Sequence, residues 1–503
     1  MFIERGAACT FPLIPFPLAA ISLETTIQNK TKMQYTVPDF EPYMLSPLDH
    51  LIPKFYVYGC MTFELQCPAR GITCLESGIA RLILNLPFLA GKVTKISNLR
   101  GKENVRQVQP ASQAVLEQDP LLKIKHHFHQ RLSSCFNLDS ENQKSLLSYE
   151  KIQAGDYKPI PFESALAESS PVFRMQANVF ADGIMLCAAF HHMVMDGRGF
   201  YSVMEMLAMC CREPCSTGLD GAFPTTMAKE ESTRKQIVQS ALLYSDTAVT
   251  RVEETTNEEV AVPETESYVT RRLIVSDSKI TQLKGKIASL AKIPKGISRN
   301  NIISAVLWLC VMRACSLSSS EKTHEPARMI AAVDIREILR PPLPSSYLGN
   351  AVLAISIENP CSGAPNIGAL RNHFDQFDIL LVAQLASAIR CGIASVDNGF
   401  VREAIYQMIT KTDTKAYASP RGSFTISNLR ILGFYELDFG PVLGRLCDAE
   451  ILSPERNRSA WILPARSANS PWEICVSLES ELMKLVLEDP LFRWVKSKGS
   501  SKL

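Results

Sequence analysis

The sequence predicts an α/β protein of two domains. Its 503 residues are too many for one ordinary core. Strand-like and helix-like segments alternate in both halves. Between the halves, residues 216–265 are dominated by Thr and Glu, and Val252-Glu253-Glu254-Thr255-Thr256-Asn257-Glu258-Glu259 has almost no core material. That stretch reads as an exposed linker, in part disordered. The expected organisation is an N-terminal extension over 1–34, a domain over 35–215, a crossover linker over 216–265, a second domain over 266–495 and a tail over 496–503.

The elements follow in order. Pro12, Pro15 and Pro17 break the apolar run Thr10 to Leu23, which only loosely imitates a signal peptide. The extension is expected to be disordered or loosely docked, with Met33 an alternative start. Phe55-Tyr56-Val57-Tyr58 is strand-like, and residues 72–87 have helical spacing. Residues 171–190 read as two strands joined by the turn Ala181-Asp182-Gly183, and Phe200 to Cys211 as a buried helix. In the second half Thr270 to Val275 predicts a strand, Lys279 to Leu290 an amphipathic helix, and Ser298 to Cys315 a longer helix with Ser298 as N-cap. Met329 to Val333, Ser423 to Ile426, Tyr435 to Phe439 and Glu473 to Leu478 predict strands, and Glu479 to Asp489 a helix.

Composition narrows the functions. With 53 Lys plus Arg against 51 Asp plus Glu, the net charge is +2, which offers no electrostatic case for nucleic acid or anionic lipid. Only a local basic patch would serve a phosphorylated cofactor. No uninterrupted run of about 18 apolar residues occurs, so no membrane span is expected. The fifteen cysteines are scattered and odd in number, which fits a reducing compartment better than a disulfide framework. Cys210, Cys211 and Cys215 lack the matching second half of a metal site.

The segment Phe190-His191-His192-Met193-Val194-Met195-Asp196-Gly197 carries the chemistry. It ends the apolar run Ile184 to Phe190, which reads as a buried strand, and exits through the turn residues Asp196, Gly197 and Gly199. An imidazole at the end of a core strand is held rigidly and partly dried, conditions that suit a general base. A hydrogen-bonded core histidine is the plain alternative. A metal site is not expected, because no third ligand is near and no Glu follows the first His.

Five motifs then resemble one family in the expected order. His192 to Gly197 matches its His-x-x-x-Asp-Gly marker, and Leu45-Ser46-Pro47-Leu48-Asp49 is similar to its N-terminal strand entry. Pro87-Phe88-Leu89-Ala90-Gly91-Lys92 resembles its Leu-Ala-Gly-Arg segment. Ala332-Val333-Asp334-Ile335-Arg336, with Pro341-Pro342-Leu343-Pro344 and Tyr347-Leu348-Gly349-Asn350, resembles its second-domain signature. Asp438-Phe439-Gly440 is similar to its C-terminal motif. Over residues 40–490 the chain resembles the BAHD-type, coenzyme A-dependent acyltransferases, in the branch of fungal secondary-metabolite O-acetyltransferases.

That resemblance implies two chloramphenicol acetyltransferase-like α/β domains with a tunnel between them, no permanently bound cofactor, and acyl-CoA (most simply acetyl-CoA) as co-substrate. It implies His192 as general base toward an acceptor hydroxyl, without an acyl-enzyme intermediate. Asp196 would pair with Arg336 as a structural ion pair, and Ser427 or Asn428 would stabilise the oxyanion on the donor side. Gly197, Asp438 and Gly440 would be structural. The chain departs from the pattern where Pro441-Val442-Leu443-Gly444 replaces Trp-Gly, and where Ser427-Asn428 replaces Ser-Trp. A carrier-dependent condensation enzyme and a non-enzymatic binding protein of the same fold are the alternatives. A monomer is expected. The terminal Ser501-Lys502-Leu503 is the address read by the peroxisomal import receptor, so a peroxisomal location is expected, with the cytoplasm as alternative.

Overall fold

Two larger β-sheets, of five and six strands, organise the described residues, and each forms where apolar runs are least interrupted; a four-stranded and a two-stranded sheet are smaller. The computed structural model describes residues 37–97, 99, 101–132, 137–138, 144–145, 157–212, 223–242, 268–290, 296–318, 328–361, 373–414, 423–452 and 458–496. The N-terminal extension, Cys215 and Ser501-Lys502-Leu503 lie outside the described residues.

In the first half Pro47–His50 (α1) is one helical turn, not a strand entry. Ser46 and Asp49 close it with a reciprocal capping box. Then come Tyr56–Glu64 (β1), Pro68–Asn85 (α2), Leu122–His127 (β2), Phe173–Phe180 (β3), Gly183–His191 (β4) and Gly197–Arg212 (α3). Every residue of β3 and β4 is buried, which is why β4 reads as a continuous apolar run rather than an alternating one. Gly183 has to be glycine, because a Cβ there would stand 2.3 Å from the Phe63 carbonyl oxygen.

The linker reading is corrected over part of its length. Met227–Leu242 (α4) is a helix that buries Glu230, Thr233, Ile237, Ser240 and Ala241. Three- and four-residue spacing is present, but most of the stripe is polar or small. Glu230 is buried because Thr225 and the Leu348 amide donate to its carboxylate. Ile237 and Ala241 join the core of the second half.

That half continues through Tyr268–Val275 (β5), Asp277–Leu290 (α5), Arg299–Leu317 (α6), Arg328–Asp334 (β6), Val352–Glu358 (β7), Gln376–Ala394 (α7) and Asn398–Thr410 (α8). It ends with Phe424–Asn428 (β8), Asp448–Leu452 (β9), Ser459–Ile462 (β10), Trp472–Glu479 (β11), Ser480–Glu488 (α9) and Pro490–Lys496 (α10). Ser298 caps α6 through a capping box with Asn301. Among the described residues two helices, α6 and α7, are long and apolar enough to cross a membrane by length and composition, but 83% of the α6 window is buried inside the protein as a core helix. The strand expected over Tyr435 to Phe439 is instead a short 3-10 turn, Phe434–Glu436, leading into a tight turn. There the Gly440 amide donates to the Asp438 carboxylate at 2.9 Å and Gly440 takes φ of +85°.

The first sheet runs β9-β1-β4-β3-β2, antiparallel except for the parallel β3/β2 pair. The second runs β5-β11-β10-β8-β6-β7, with β10/β8 and β8/β6 parallel. The halves are therefore not separable in sequence, since β9 leaves the C-terminal half to form the edge of the first sheet. Ions fasten this crossover. Arg272 on β5 bonds Glu450 at 2.8 Å and Asp448 at 3.3 Å on β9, and also reaches Glu473 on β11.

Candidate active site

The site is assembled where β4 ends. His191, the last residue of the strand, is fully buried, and its ring lies edge-on to Tyr56 at 5.4 Å. Desolvation, reinforced by neighbouring His192 and Arg106, lowers its pKa to about 3, so it stays neutral at working pH. His192 is the next residue, half-buried, and the first in the turn that follows. Its amide donates to the Phe55 carbonyl at 3.0 Å, and its imidazole packs edge-on against the Phe55 ring at 4.8 Å. The burial contrast separates the two histidines. One is sealed in the core, and the other sits where solvent and a ligand can reach it.

The turn after His192 is held from the second half. Asn350 donates from Nδ2 to the His192 carbonyl at 2.9 Å and to Asp49 Oδ1 at 2.9 Å, and its backbone amide donates to the same Asp49 oxygen at 2.9 Å. Asp49 is fully enclosed, and burial raises its pKa to about 6 against the hydrogen bonds from Asn350 and Ser46. Asp196 caps α3 by accepting the Gly199 amide at 2.8 Å. It also accepts the Ala351 amide at 2.9 Å and binds Arg336 through both oxygens at 3.0 Å each. Arg336 in turn donates to the carbonyls of Tyr347 at 2.9 Å and Gly349 at 3.2 Å. The Asp196 carboxylate is thus spent on the turn and on the second half rather than on the imidazole.

Gly197 starts α3, and a Cβ there would meet Leu429 at 2.8 Å. Leu429 directly follows Ser427 and Asn428, which end β8, so the motif turn and this strand end touch. Ser427 is half-buried and Asn428 exposed. The Asn428 side-chain oxygen accepts the Arg430 amide at 2.9 Å. Asp438 and Gly440 sit elsewhere. A Cβ on Gly440 would meet Arg212 Cα at 2.8 Å, at the far end of α3. Sixteen helical residues place that end about 22 Å from Gly197.

Beside the motif turn opens a cleft of about 640 Å³. Arg198 and Tyr201 of α3 form one wall, and Ser298, Arg299, Asn300, Asn428, Arg430 and Trp472 are among the residues lining the rest. The N-terminus of α6 faces this cleft, and Arg198, Arg299 and Arg430 line it with one carboxylate, Glu436, so positive groups outnumber negative ones there. Arg299 is already paired with Asp277 at 2.7 Å, and Arg430 stacks on Trp472 at 3.9 Å. Among the described residues no group of three His, Cys, Asp or Glu gathers in a way that would hold a metal ion.

A family model described as the Transferase family matches residues 159–492, and one described as a trichothecene 3-O-acetyltransferase-like N-terminal domain matches residues 55–211. The chain belongs to this transferase family. It is an acyltransferase by its relatives. The chain is 31% identical to the communesin N16 acyltransferase of Penicillium expansum, covering 91% of this chain and 98% of that one. It is 30% identical to an O-acetyltransferase of Aspergillus campestris, covering 91% and 96%. Among solved structures, TRI101 of F. graminearum complexed with coenzyme A and deoxynivalenol is similar at a TM-score of 0.65 and 18% identity, covering 90% of this chain and 98% of that one. Vinorine synthase is similar at 0.61 and 16%, covering 90% and 93%. The two-domain, chloramphenicol acetyltransferase-like architecture of this acyltransferase agrees with those folds.

Three features of this acyltransferase's site were not assigned from sequence. Phe55 opens the strand-like run Phe55 to Tyr58, but nothing in that run ties it to His192. Asp49 and Asn350 lie in two of the family-like motifs, but 301 residues separate them, and nothing in their spacing links either to His192. The cleft arginines come from three distant segments, so no local basic run announces them.

Proposed function

We propose that the protein transfers an acyl group, most simply acetyl, from a coenzyme A thioester to a hydroxyl of a specialised metabolite. The observation that carries this reading is His192, half-buried at the mouth of a core strand, on a turn that Asn350 and Phe55 pin from opposite sides. The imidazole takes the acceptor proton as the oxygen attacks the thioester carbonyl. The thioester is already activated, so no acyl-enzyme intermediate is needed. Collapse of the tetrahedral oxyanion releases the coenzyme A thiolate, which recovers the proton. Asn428, its side-chain oxygen engaged by Arg430, has its NH2 left as oxyanion donor, with Ser427 beside it. The arginine-lined cleft and the α6 N-terminus would take the phosphates of coenzyme A. The F. sporotrichioides and F. graminearum TRI101 structures, complexed with coenzyme A and T-2 or deoxynivalenol, support a fold that takes coenzyme A and a small-molecule acceptor together.

A second acceptor class has a specific observation behind it, since one relative is named an N16 acyltransferase. The experiment is a screen of hydroxylated and amine-bearing metabolites with acetyl-CoA, following coenzyme A release and product mass. Hydroxyl acylation is expected. Product formed only on amines moves the assignment to N-acylation, and turnover only with carrier-bound acyl groups would sink the free coenzyme A reading.

The protein would act as a monomer in peroxisomes, addressed by Ser501-Lys502-Leu503. A fluorescent N-terminal fusion should form peroxisomal puncta that become diffuse when the tripeptide is deleted. An intact fusion that is diffuse in cells with working peroxisomes would place the enzyme in the cytosol. Light scattering at assay concentration should give the mass of one chain.

A further inference from the structure

Outside the acyl-transfer site, two cysteines face each other across α2 and α3. Cys74 Sγ points at the Cys211 carbonyl at 3.5 Å, and Cys211 Sγ points back at the Cys74 carbonyl at 3.9 Å. The two thiols also interact with each other. Gly78, one helical turn beyond Cys74, makes room for this, because a Cβ there would stand 2.5 Å from Cys211 Sγ. The missing side chain lets Cys211 lie flat against α2.

The two sulfurs differ in environment. Cys74 is half-buried and Cys211 is buried. Contact with Cys211 and the charge of Arg81 lower the Cys74 pKa to about 7 against partial burial, so much of it is thiolate at neutral pH. Arg81 is held in place by the Cys210 carbonyl. Cys60 and Cys187 make an instructive contrast. Their sulfurs lie 3.2 Å apart at opposed positions of β1 and β4, but both are fully buried and Cys60 is held as the thiol. Proximity alone does not make a reactive pair. A reactive pair needs one accessible thiolate and one resolving thiol within reach.

We propose that Cys74 and Cys211 are a peroxide-responsive dithiol that closes to a disulfide between α2 and α3. The Cys74 thiolate attacks one oxygen of hydrogen peroxide. The O–O bond breaks, Cys74 becomes the sulfenic acid, and the leaving hydroxide takes a proton to become water. The Cys211 sulfur then attacks Cys74, the S–O bond breaks, and the departing hydroxyl leaves with the Cys211 proton as a second water. Two thiols lose two electrons and two protons, and one peroxide becomes two waters. An added dithiol reverses the change. The bond would tether the C-terminal end of α3, the helix whose first turn is capped by Asp196.

The test is made on the full-length protein and does not depend on acyl transfer. Purified protein is treated with a small molar excess of hydrogen peroxide, remaining thiols are alkylated, and the digest is mapped by mass spectrometry. A Cys74–Cys211 linked peptide pair is expected, lost on dithiothreitol treatment, while exposed Cys67 and Cys391 stay alkylatable. Cys211→Ala should leave Cys74 as a sulfenic acid trapped by dimedone, formed more slowly than in the native protein because the Cys211 contact that favours the thiolate is lost, and Cys74→Ser should abolish the linked pair and leave Cys211 unoxidised. If Cys211→Ala does not fold, the Cys74→Ser arm and the unmodified protein still decide. Cys74 oxidised no faster than Cys391, or linked to another cysteine, would overturn the proposal.

Discussion

His192 and His191 are adjacent in sequence and opposite in circumstance. His192→Ala is expected to lower kcat by about 100-fold or more, the scale of lost general-base catalysis, with folding retained. Near-normal turnover would remove His192 from that role. His191→Ala should act through packing, lowering stability more than turnover, because an imidazole sealed against Tyr56, its pKa pushed down to about 3 by burial, is too weak a base and too enclosed to take the acceptor proton. Asn350 tests the support of the turn. Asn350→Ala deletes the donor to the His192 carbonyl and leaves the Asp49 carboxylate buried with fewer partners, a loss of about 1–3 kcal/mol. Its kcat should fall more than its KM for acetyl-CoA rises; the opposite split would make Asn350 a donor-binding residue. The sequence showed the histidines because strand end, turn and carboxylate are contiguous. It could not show Asn350 reaching the same carbonyl from the second half, because hydrogen bonds across 158 residues leave no periodicity.

At the scale of elements, the start of α3 is a junction. Asp196 ends the motif turn, caps the helix and grips Arg336 after β6, so one carboxylate fixes three backbone segments. Arg336→Met should cost about 3–5 kcal/mol, because it strands the buried Asp196 charge; Asp196→Leu should cost less, because Arg336 keeps its ion pair with the more exposed Asp334 at 3.2 Å. The double variant should recover part of that loss in chemical denaturation. Single variants as stable as the native protein would mean that water reaches the pair. Most elements were legible because long helices and buried strands carry strong patterns, as in Ser298 to Cys315 and Ile184 to Phe190. The misreadings have local causes. Tyr435 to Phe439 has strand composition, but Asp438 bonds the Gly440 amide and turns the chain. The polar stripe of α4 hid a helix whose buried Glu230 is satisfied by Thr225 and the distant Leu348 amide.

At the scale of the molecule, the two sheets meet through a crowded ionic seam. Glu450 is fully buried beside Asp448 and Glu473, with Arg272 opposing them, and burial leads in raising its pKa to about 7. A carboxyl with a raised folded pKa keeps its proton between about pH 4.5 and 7 while the unfolded chain has released it. Stability from this group therefore declines as pH rises through that window, by up to about 3 kcal/mol. Glu450→Gln should remove the decline, so the stability of the variant relative to the native protein should rise between pH 5 and pH 8 in urea titrations. A gap that is flat or shrinks with pH would show that Arg272 keeps Glu450 ionised throughout. Two α/β halves were readable from the sequence, but not the exchange of β9, since a five-residue apolar strand carries no mark of the sheet it will join.

That exchange limits how this enzyme can be cut and recombined. A chimaera spliced once between residues 213 and 267 would give the first sheet an edge strand from a foreign parent, with Asp448 and Glu450 replaced by whatever that parent carries. An isolated N-terminal half would leave the β1 edge bare along Tyr58 to Thr62, a row of open backbone groups prone to self-association. Specificity swaps between relatives should therefore move residues 448–452 together with the first half, as a two-piece graft.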